Sequence, residues 1–373
     1  MSTKTPLYDR HVSLEARIVS FGDWLLPVQY AGVLAEHRQC RTAAVVFDTS
    51  HMGQFVLRGP AAAEQLGRIG TQDAEALAIG RCRYGFLLND AAGVLDDTIL
   101  MRLGEQEFLL VVNAGPSEGD WQWIESHLAG DVELSSLSAA GWGKVDLQGP
   151  ASARVLAGRV DVDLAALAYF GVSRARCLGR DCILSRTGYT GELGYEIMAA
   201  GEDLRAIFEA LLSDEAVAPA GLGARDSLRL EMGYPLYGHE LSVEHNPIEA
   251  GLGMFAAGGR EFIGSRRLAE LADAGPRRKL VAFRAASRRR TNPANEVRFE
   301  GRSVGAVTSG AFSPSLEVSI GLAYVEAPLA DVGRELVVDT GRCELPVTVC
   351  EKPLYVNGTC RTKEITGPME PSK

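Results

Sequence analysis

The chain has 373 residues, 46% hydrophobic and 23% charged, with a formal net charge of -10 at pH 7. That length exceeds one ordinary core and allows two or three domains, and the composition is that of a globular protein in water. The acidic balance excludes wholesale nucleic-acid binding, which needs a basic face, and no apolar run approaches the roughly 20 residues that span a bilayer. The opening "MSTKTPLYDRHVSLEAR" lacks the apolar centre of a secretion signal, and Asp9 and Glu15 argue against a transit peptide, so the cytoplasm is expected. Seven cysteines include no C-x-x-C pair, and none of the six histidines lie four apart on one predicted helix. Neither a disulfide scaffold nor a metal site is expected.

In chain order, "FVLRGPAAAEQLGRI" (Phe55 to Ile69) reads as a strand, a Gly-Pro step and a helix. "VDLQGPASARVLAGR" (Val145 to Arg159) repeats that plan, with Gly59-Pro60 and Gly149-Pro150 lying 90 residues apart. Glycine permits a tight exit from a strand, and proline is expected at the first helical position, where its missing N–H does no harm. The repetition predicts two related α+β halves packed together. Between them, "RYGFLLND" and "GVLDDTILMRL" predict two strands joined by a turn at Asn89-Asp90, and "EFLLVVNA" a third. "GPSEGDWQWIESHLAG" predicts an amphipathic helix starting at Ser117 and stopping at Gly130.

"SRTGYTGELGYEI" (Ser185 to Ile197) combines a glycine-rich turn with tyrosines and glutamates, so it reads as a hairpin or as a ligand loop. "GEDLRAIFEALLSD" and "GARDSLRLEMGY" predict helices. A boundary falls near Gly275-Pro276, followed by the basic runs Arg277 to Lys279 and Arg288 to Arg290. From Val281 on, short alternating segments separated by turn residues predict a small β-barrel. The glycine pairs in "GLGAR", "GLGMF" and "GGR" match no phosphate-cradling pattern, so no nucleotide cofactor is expected.

Eight motifs then occur in order: "LYDRHVSLEARIVSFGDWLLPVQYAGVLAEH", "FDTSHMG", "GVLDDTIL", "VVNAG", "RTGYTGELGYE", "GLGARDSLRLEMGYPLYGHEL", "NPIEAGLG" and "VTSGAFSPSL". Together, from about Leu7 to Tyr355, the chain resembles the glycine cleavage T-protein family, tetrahydrofolate-dependent aminomethyltransferases. The resemblance implies an α+β protein of three lobes around a folate channel. Two are related ferredoxin-like folate-binding lobes, residues 1–50 with 138–275 and residues 51–137, and a C-terminal β-barrel domain takes residues 276–365. It also implies the reaction. The one-carbon unit of an aminomethyl-lipoyl H-protein passes to tetrahydrofolate, ammonia leaves, and 5,10-methylenetetrahydrofolate forms. Relatives of this fold include folate-dependent demethylases of small methylated compounds and a non-catalytic assembly factor, and both remain alternatives.

The site residues follow from the same resemblance. The pterin carries a guanidine-like edge of donors, which a carboxylate grips with two parallel hydrogen bonds, and Glu196 is the carboxylate so implied. Asp96 and Asp97 are neighbours on a predicted strand and face opposite sides. The resemblance makes Asp97 the catalytic one, placed to orient the folate amines and take up a proton, and leaves Asp96 facing away as a residue of small effect. Arg225 is implied as a folate contact. Tyr84, Tyr169, Tyr189 and Tyr234 are candidates for channel walls, and Asn113 for a hydrogen bond to the ligand. Arg361 is expected near the folate tail. Met101 stands where some relatives have an aromatic, which suggests an altered wall, and His51 is expected to be a packed structural histidine. The two basic runs are expected to help dock an acidic lipoyl carrier.

Overall fold

Both Gly-Pro steps turn the chain from a strand into a helix in the computed structural model, which describes residues 2–256, 259–363 and 365. Gly59 and Gly149 have φ values of 137° and 133°. A side-chain carbon would meet Asp131 O at 2.2 Å in the first case and Ala43 O at 2.3 Å in the second. Only glycine fits either place. The prolines differ from expectation. The helices begin at Ala62 and Ser152, after turns closed by Ala62 N–H to Gly59 O (3.1 Å) and Ser152 N–H to Gly149 O (3.0 Å). Pro60 and Pro150 therefore take the second position of a β-turn, which suits their fixed φ and asks no N–H of them.

The duplication extends to the sheets. One has six strands in the order Val172–Cys177, Arg180–Ser185, Gly194–Ala200, Trp142–Gln148, Ala44–Asp48, Val217–Pro219. The other has five, in the order Cys82–Leu88, Val94–Gly104, Glu107–Val112, Gly53–Arg58, Glu133–Ser136. Strand for strand the first five places correspond. The place of Glu133–Ser136 is filled in the larger sheet by Ala44–Asp48, which comes from much earlier in the chain. The two units meet at equivalent residues: Cys82 N–H donates to Phe170 O (2.8 Å) and Val172 N–H to Gly80 O (2.9 Å). Between them lies a shared core that includes Val56, Leu109, Ile183 and Met198. Met101 is fully buried in that core, so it forms no ligand wall, contrary to expectation.

Away from that interface each sheet packs on helices. Leu204, Ile207, Phe208 and Leu211 of the helix Gly201–Leu212 cover the larger sheet. Ala62, Leu66 and Ile69 of the helix Ala62–Ile69 cover the smaller. A three-stranded sheet near the N-terminus joins Thr3–Lys4, Trp24–Gln29 and Arg17–Phe21. The C-terminal strands, Arg278–Ala285 to Glu344–Cys350, close into a six-stranded barrel filled by residues such as Val281, Phe283, Val297, Val338 and Val347. The fold is thus α+β with two related units and a β-barrel, as the alternation of segments predicted.

Candidate functional site

A cavity of about 1800 Å³ lies where both sheets, the N-terminal segment and the C-terminal tail converge. Tyr84, Asp97, Asn113, Tyr169, Tyr189, Glu196, Arg225, Tyr234 and Arg361 all line it, so every site residue named from the sequence comes to one place.

On the strand Val94–Gly104 successive side chains alternate sides, and Asp97 is the aspartate that faces the cavity. Its Oδ2 accepts from the Tyr84 hydroxyl (3.0 Å) and its Oδ1 from the Asn113 amide (2.9 Å). Burial pushes the Asp97 carboxyl up to about 6, against the downward pull of those two hydrogen bonds. Burial and the neighbouring aspartate likewise push the Tyr84 hydroxyl far above its ordinary value. Asp96 does not face solvent. It has no exposure, and it accepts from both the backbone N–H and the side-chain amide of Asn113, each at 2.8 Å. Beyond it the carboxyl of Asp120, in the first turn of the helix Ser117–His127, contacts Asp96. Burial and the charges of Asp120 and Asp97 push Asp96 well above the carboxylate range, and burial lifts Asp120 to about 7. Among the described residues no arginine or lysine pairs with any of the three.

The stretch Ser185 to Ile197 is both a hairpin and a wall. It connects the strands Arg180–Ser185 and Gly194–Ala200, and its Thr187, Gly188, Tyr189 and Glu196 border the cavity. Glu192 does not, since Arg41 holds it at 2.7 Å. Glu196 Oε2 accepts from the Thr187 hydroxyl (2.9 Å), and Oε1 lies 3.1 Å from Lys144 Nζ. Arg225 pairs with Asp146 at 2.9 Å, and its guanidinium sits 4.9 Å from the centre of the Tyr189 ring. Tyr189 stacks on Tyr234 with centroids 5.8 Å apart and donates to Pro235 O. Tyr169 reaches Tyr234 and Cys360, and burial raises its hydroxyl to about 12. Arg361 stands at the exposed edge.

His51 is packed as expected, with its ring 5.7 Å from that of Phe21, and it also borders the cavity. Burial, with Arg225 and Lys144 nearby, lowers it to about 4, so the ring is neutral at physiological pH. Among the described residues its Nδ1 has no hydrogen-bond partner. Sequence reasoning also missed Lys144, Asp146 and Arg229. The first two alternate with Val145 and Leu147 on a strand whose both faces are out of water, a pattern visible in "KVDLQ". Arg229, 1% exposed, donates to Tyr234 O at 3.1 Å and so fixes that wall. The basic runs do not border the cavity, and Arg278 and Arg288 are engaged by Glu249 and Glu317. Among the described residues no group of three or more His, Cys, Asp or Glu is placed to hold a metal ion.

Comparison with known proteins agrees with this architecture. Residues 7–258 match the GCVT N-terminal domain, and residues 278–355 match the glycine cleavage T-protein C-terminal barrel domain. An aminomethyltransferase of Symbiobacterium thermophilum is 44% identical over 366 residues, covering 94% of this chain and 97% of the relative. One from Geobacillus kaustophilus is 40% identical over 361 residues, covering 95% and 99%. The crystal structure of glycine cleavage system aminomethyltransferase T from Bartonella henselae superposes with a TM-score of 0.91 at 34% identity, covering 96% of this chain and 99% of that one. The chain belongs to the glycine cleavage T-protein family of aminomethyltransferases.

Proposed function

We propose that the cavity binds tetrahydrofolate, admits the aminomethyl-lipoyl arm of a glycine cleavage H-protein, and carries the one-carbon unit between them. The carbon leaves the lipoyl sulfur and the amine nitrogen and becomes bonded to N5 and N10 of folate. Each folate nitrogen gives up a proton; one ends on sulfur and the other on departing ammonia. The products are dihydrolipoyl H-protein, ammonia and 5,10-methylenetetrahydrofolate.

The observation that carries this reading is Asp97, a carboxyl held at both oxygens on the wall of a cavity with room for two reactants. With its pKa lifted to about 6, it can take a proton from a folate amine and return it near neutral pH. Asn113 orients this carboxyl as well as meeting the ligand. Glu196 grips the donor edge of the pterin, and Arg225 contacts the folate beside it. The four tyrosines pack its rings, and Arg361 meets the anionic tail at the open edge. Residues 1–50 with 138–275 and residues 51–137 form the folate lobes, and 276–365 the barrel domain. A cytoplasmic location belongs to the same reading; among the described residues no helix is long and apolar enough to cross a membrane. The demethylase and the non-catalytic alternatives gain no support from relatives named for aminomethyl transfer.

The test supplies aminomethyl-loaded H-protein and tetrahydrofolate and follows ammonia and methylenetetrahydrofolate together. Equal yields of the two are expected. Ammonia released without the folate product would overturn the proposal.

A further inference from the structure

The antiparallel ladder sets Asp146 directly opposite Glu196. Carboxylates in that relation repel, and here Asp146 is fully and Glu196 largely removed from water. Lys144, two residues before Asp146 on the same strand, shares its face. The lysine has no exposure, and its Nζ lies 2.6 Å from Asp146 Oδ1 and 3.1 Å from Glu196 Oε1. Both carboxylates have further partners. Thr49 donates to Asp146 Oδ1 at 2.8 Å, Arg225 to Asp146 Oδ2 at 2.9 Å, and Thr187 to Glu196 Oε2 at 2.9 Å. Two cations and two anions thus form one neutral group, with Lys144 and Asp146 behind the cavity wall and Glu196 and Arg225 on it.

We infer that Lys144 is a positioning residue for the folate substrate, acting through the Glu196 carboxylate, which it anchors and turns toward the pterin edge. The inference rests on Glu196 being a folate ligand and extends that reading by one residue. Lys144 itself does not border the cavity. Thr187 alone would hold one carboxylate oxygen and leave the group free to rotate about its last bond. A second anchor on the other oxygen fixes the plane, and a bidentate grip needs that plane fixed. Lys144 also supplies positive charge on the side away from the ligand. A carboxylate covered by a bound ring loses its remaining water, and the ammonium behind it compensates for that loss. Through Asp146 the same ammonium helps hold Arg225, a second candidate contact, in place.

An ion cluster that serves only folding would change stability without being linked to ligand affinity. The two roles separate in a double-mutant cycle on tetrahydrofolate binding, measured calorimetrically on the full chain. The variants are Lys144→Met, Glu196→Gln and the pair. If Lys144→Met does not fold because it leaves buried negative charge unbalanced, the whole cycle is run on an Asp146→Asn background, with Asp146→Asn alone as the reference, so that the loss of the Arg225 partner is common to every arm. Lys144→Met should raise Kd by about 10-fold or more, the scale of one hydrogen bond to a charged group. Once Glu196 is already Gln, the same change should add less than about threefold, because the two residues act as a unit. An unchanged Kd in a folded Lys144 variant, or losses that multiply in the pair, overturns the inference while leaving Glu196 in the site. If Glu196→Gln alone leaves Kd unchanged, the ligand role of Glu196 fails and the inference falls with it.

Discussion

The Tyr84 hydroxyl donates to Asp97 Oδ2 across 3.0 Å, from the strand paired alongside Asp97. With Asn113 on the other oxygen, the carboxyl is fixed in orientation while burial keeps its pKa near 6. A group so placed suits proton transfer, which is most effective when the pKa lies near the working pH.

Asp97→Asn keeps the shape and a hydrogen-bonding oxygen but removes the charge and the proton acceptor. Turnover at saturating substrates should fall by at least about 100-fold, the usual scale for a lost general base. A role limited to holding folate would instead raise Kd and leave saturated turnover largely intact.

Tyr84→Phe removes a donor that lowers the Asp97 pKa, so that pKa should rise above about 6. If ionised Asp97 is the active form, turnover in the parent enzyme declines as pH falls through about 6, and in the variant the decline starts at higher pH. A rate profile whose acid limb stays put, with only KM altered, would limit Tyr84 to packing against the substrate.

Asp96, expected to be of small effect, is tied to Asp97 through Asn113. Asn113 gives it two hydrogen bonds, and Asn113 in turn holds Asp97. Asp96→Asn sets an amide against those donors and should displace Asn113. Turnover is expected to drop by roughly 10-fold, the scale of one lost hydrogen bond and less than for Asp97→Asn. A larger loss for Asp96→Asn than for Asp97→Asn, measured side by side, would mean that the two aspartates have exchanged roles.

What was legible in the sequence was whatever repeats locally. The two Gly-Pro steps announce paired units because each strand exit crowds a backbone oxygen and admits glycine alone. Alternation announces the barrel. The site residues could be named only through motifs, since Asp97, Glu196 and Arg361 are far apart along the chain and are brought together by two sheets and the C-terminal tail. Lys144 escaped notice for a related reason. A lysine in a short strand reads as a solvated edge, and only the pairing of Trp142–Gln148 with Gly194–Ala200, some fifty residues later, encloses it. Asp96 and Asp120 are similar, their contact depending on how the helix Ser117–His127 lies on the smaller sheet.

Asp120 gives a stability test with a definite sign. Its pKa is raised by burial from an ordinary 3.8 to about 7, with Asp96, Asp97 and Tyr237 as its titrating neighbours. The folded protein therefore holds a proton that the unfolded chain releases, and stability is full below about pH 4 and lost as pH rises through about 7. Asp120→Asn imitates the protonated form. It should raise the unfolding temperature at pH 8 by a few degrees, corresponding to about 1 kcal/mol, and change little at pH 4. A gain of equal size at both pH values would point to packing instead of charge.

Glu231 tests the opposite case. It ends the helix Leu222–Glu231 and accepts from Arg41 (2.7 Å), Ser315 Oγ (2.9 Å) and Ser313 Oγ, with His37 Nε2 at 3.2 Å. Those partners come from the helix Val33–Thr42 and from the loop after a barrel strand, so one carboxylate joins the α+β body to the barrel. Burial alone would raise its pKa; His37, Arg41 and Ser313 outweigh that and hold it at about 2, below an ordinary 4.5. The unfolded chain takes up the proton first, so this stabilisation is present above about pH 4.5 and is lost as pH falls toward about 2. Glu231→Gln should cost about 1–3 kcal/mol at pH 7, because Arg41 keeps Glu192 but loses its second buried carboxylate. Denaturant unfolding at pH 7 and pH 3 measures the difference, which should narrow at the lower pH. A gap of constant width would show that the side chain joins the two parts through its shape and not its charge.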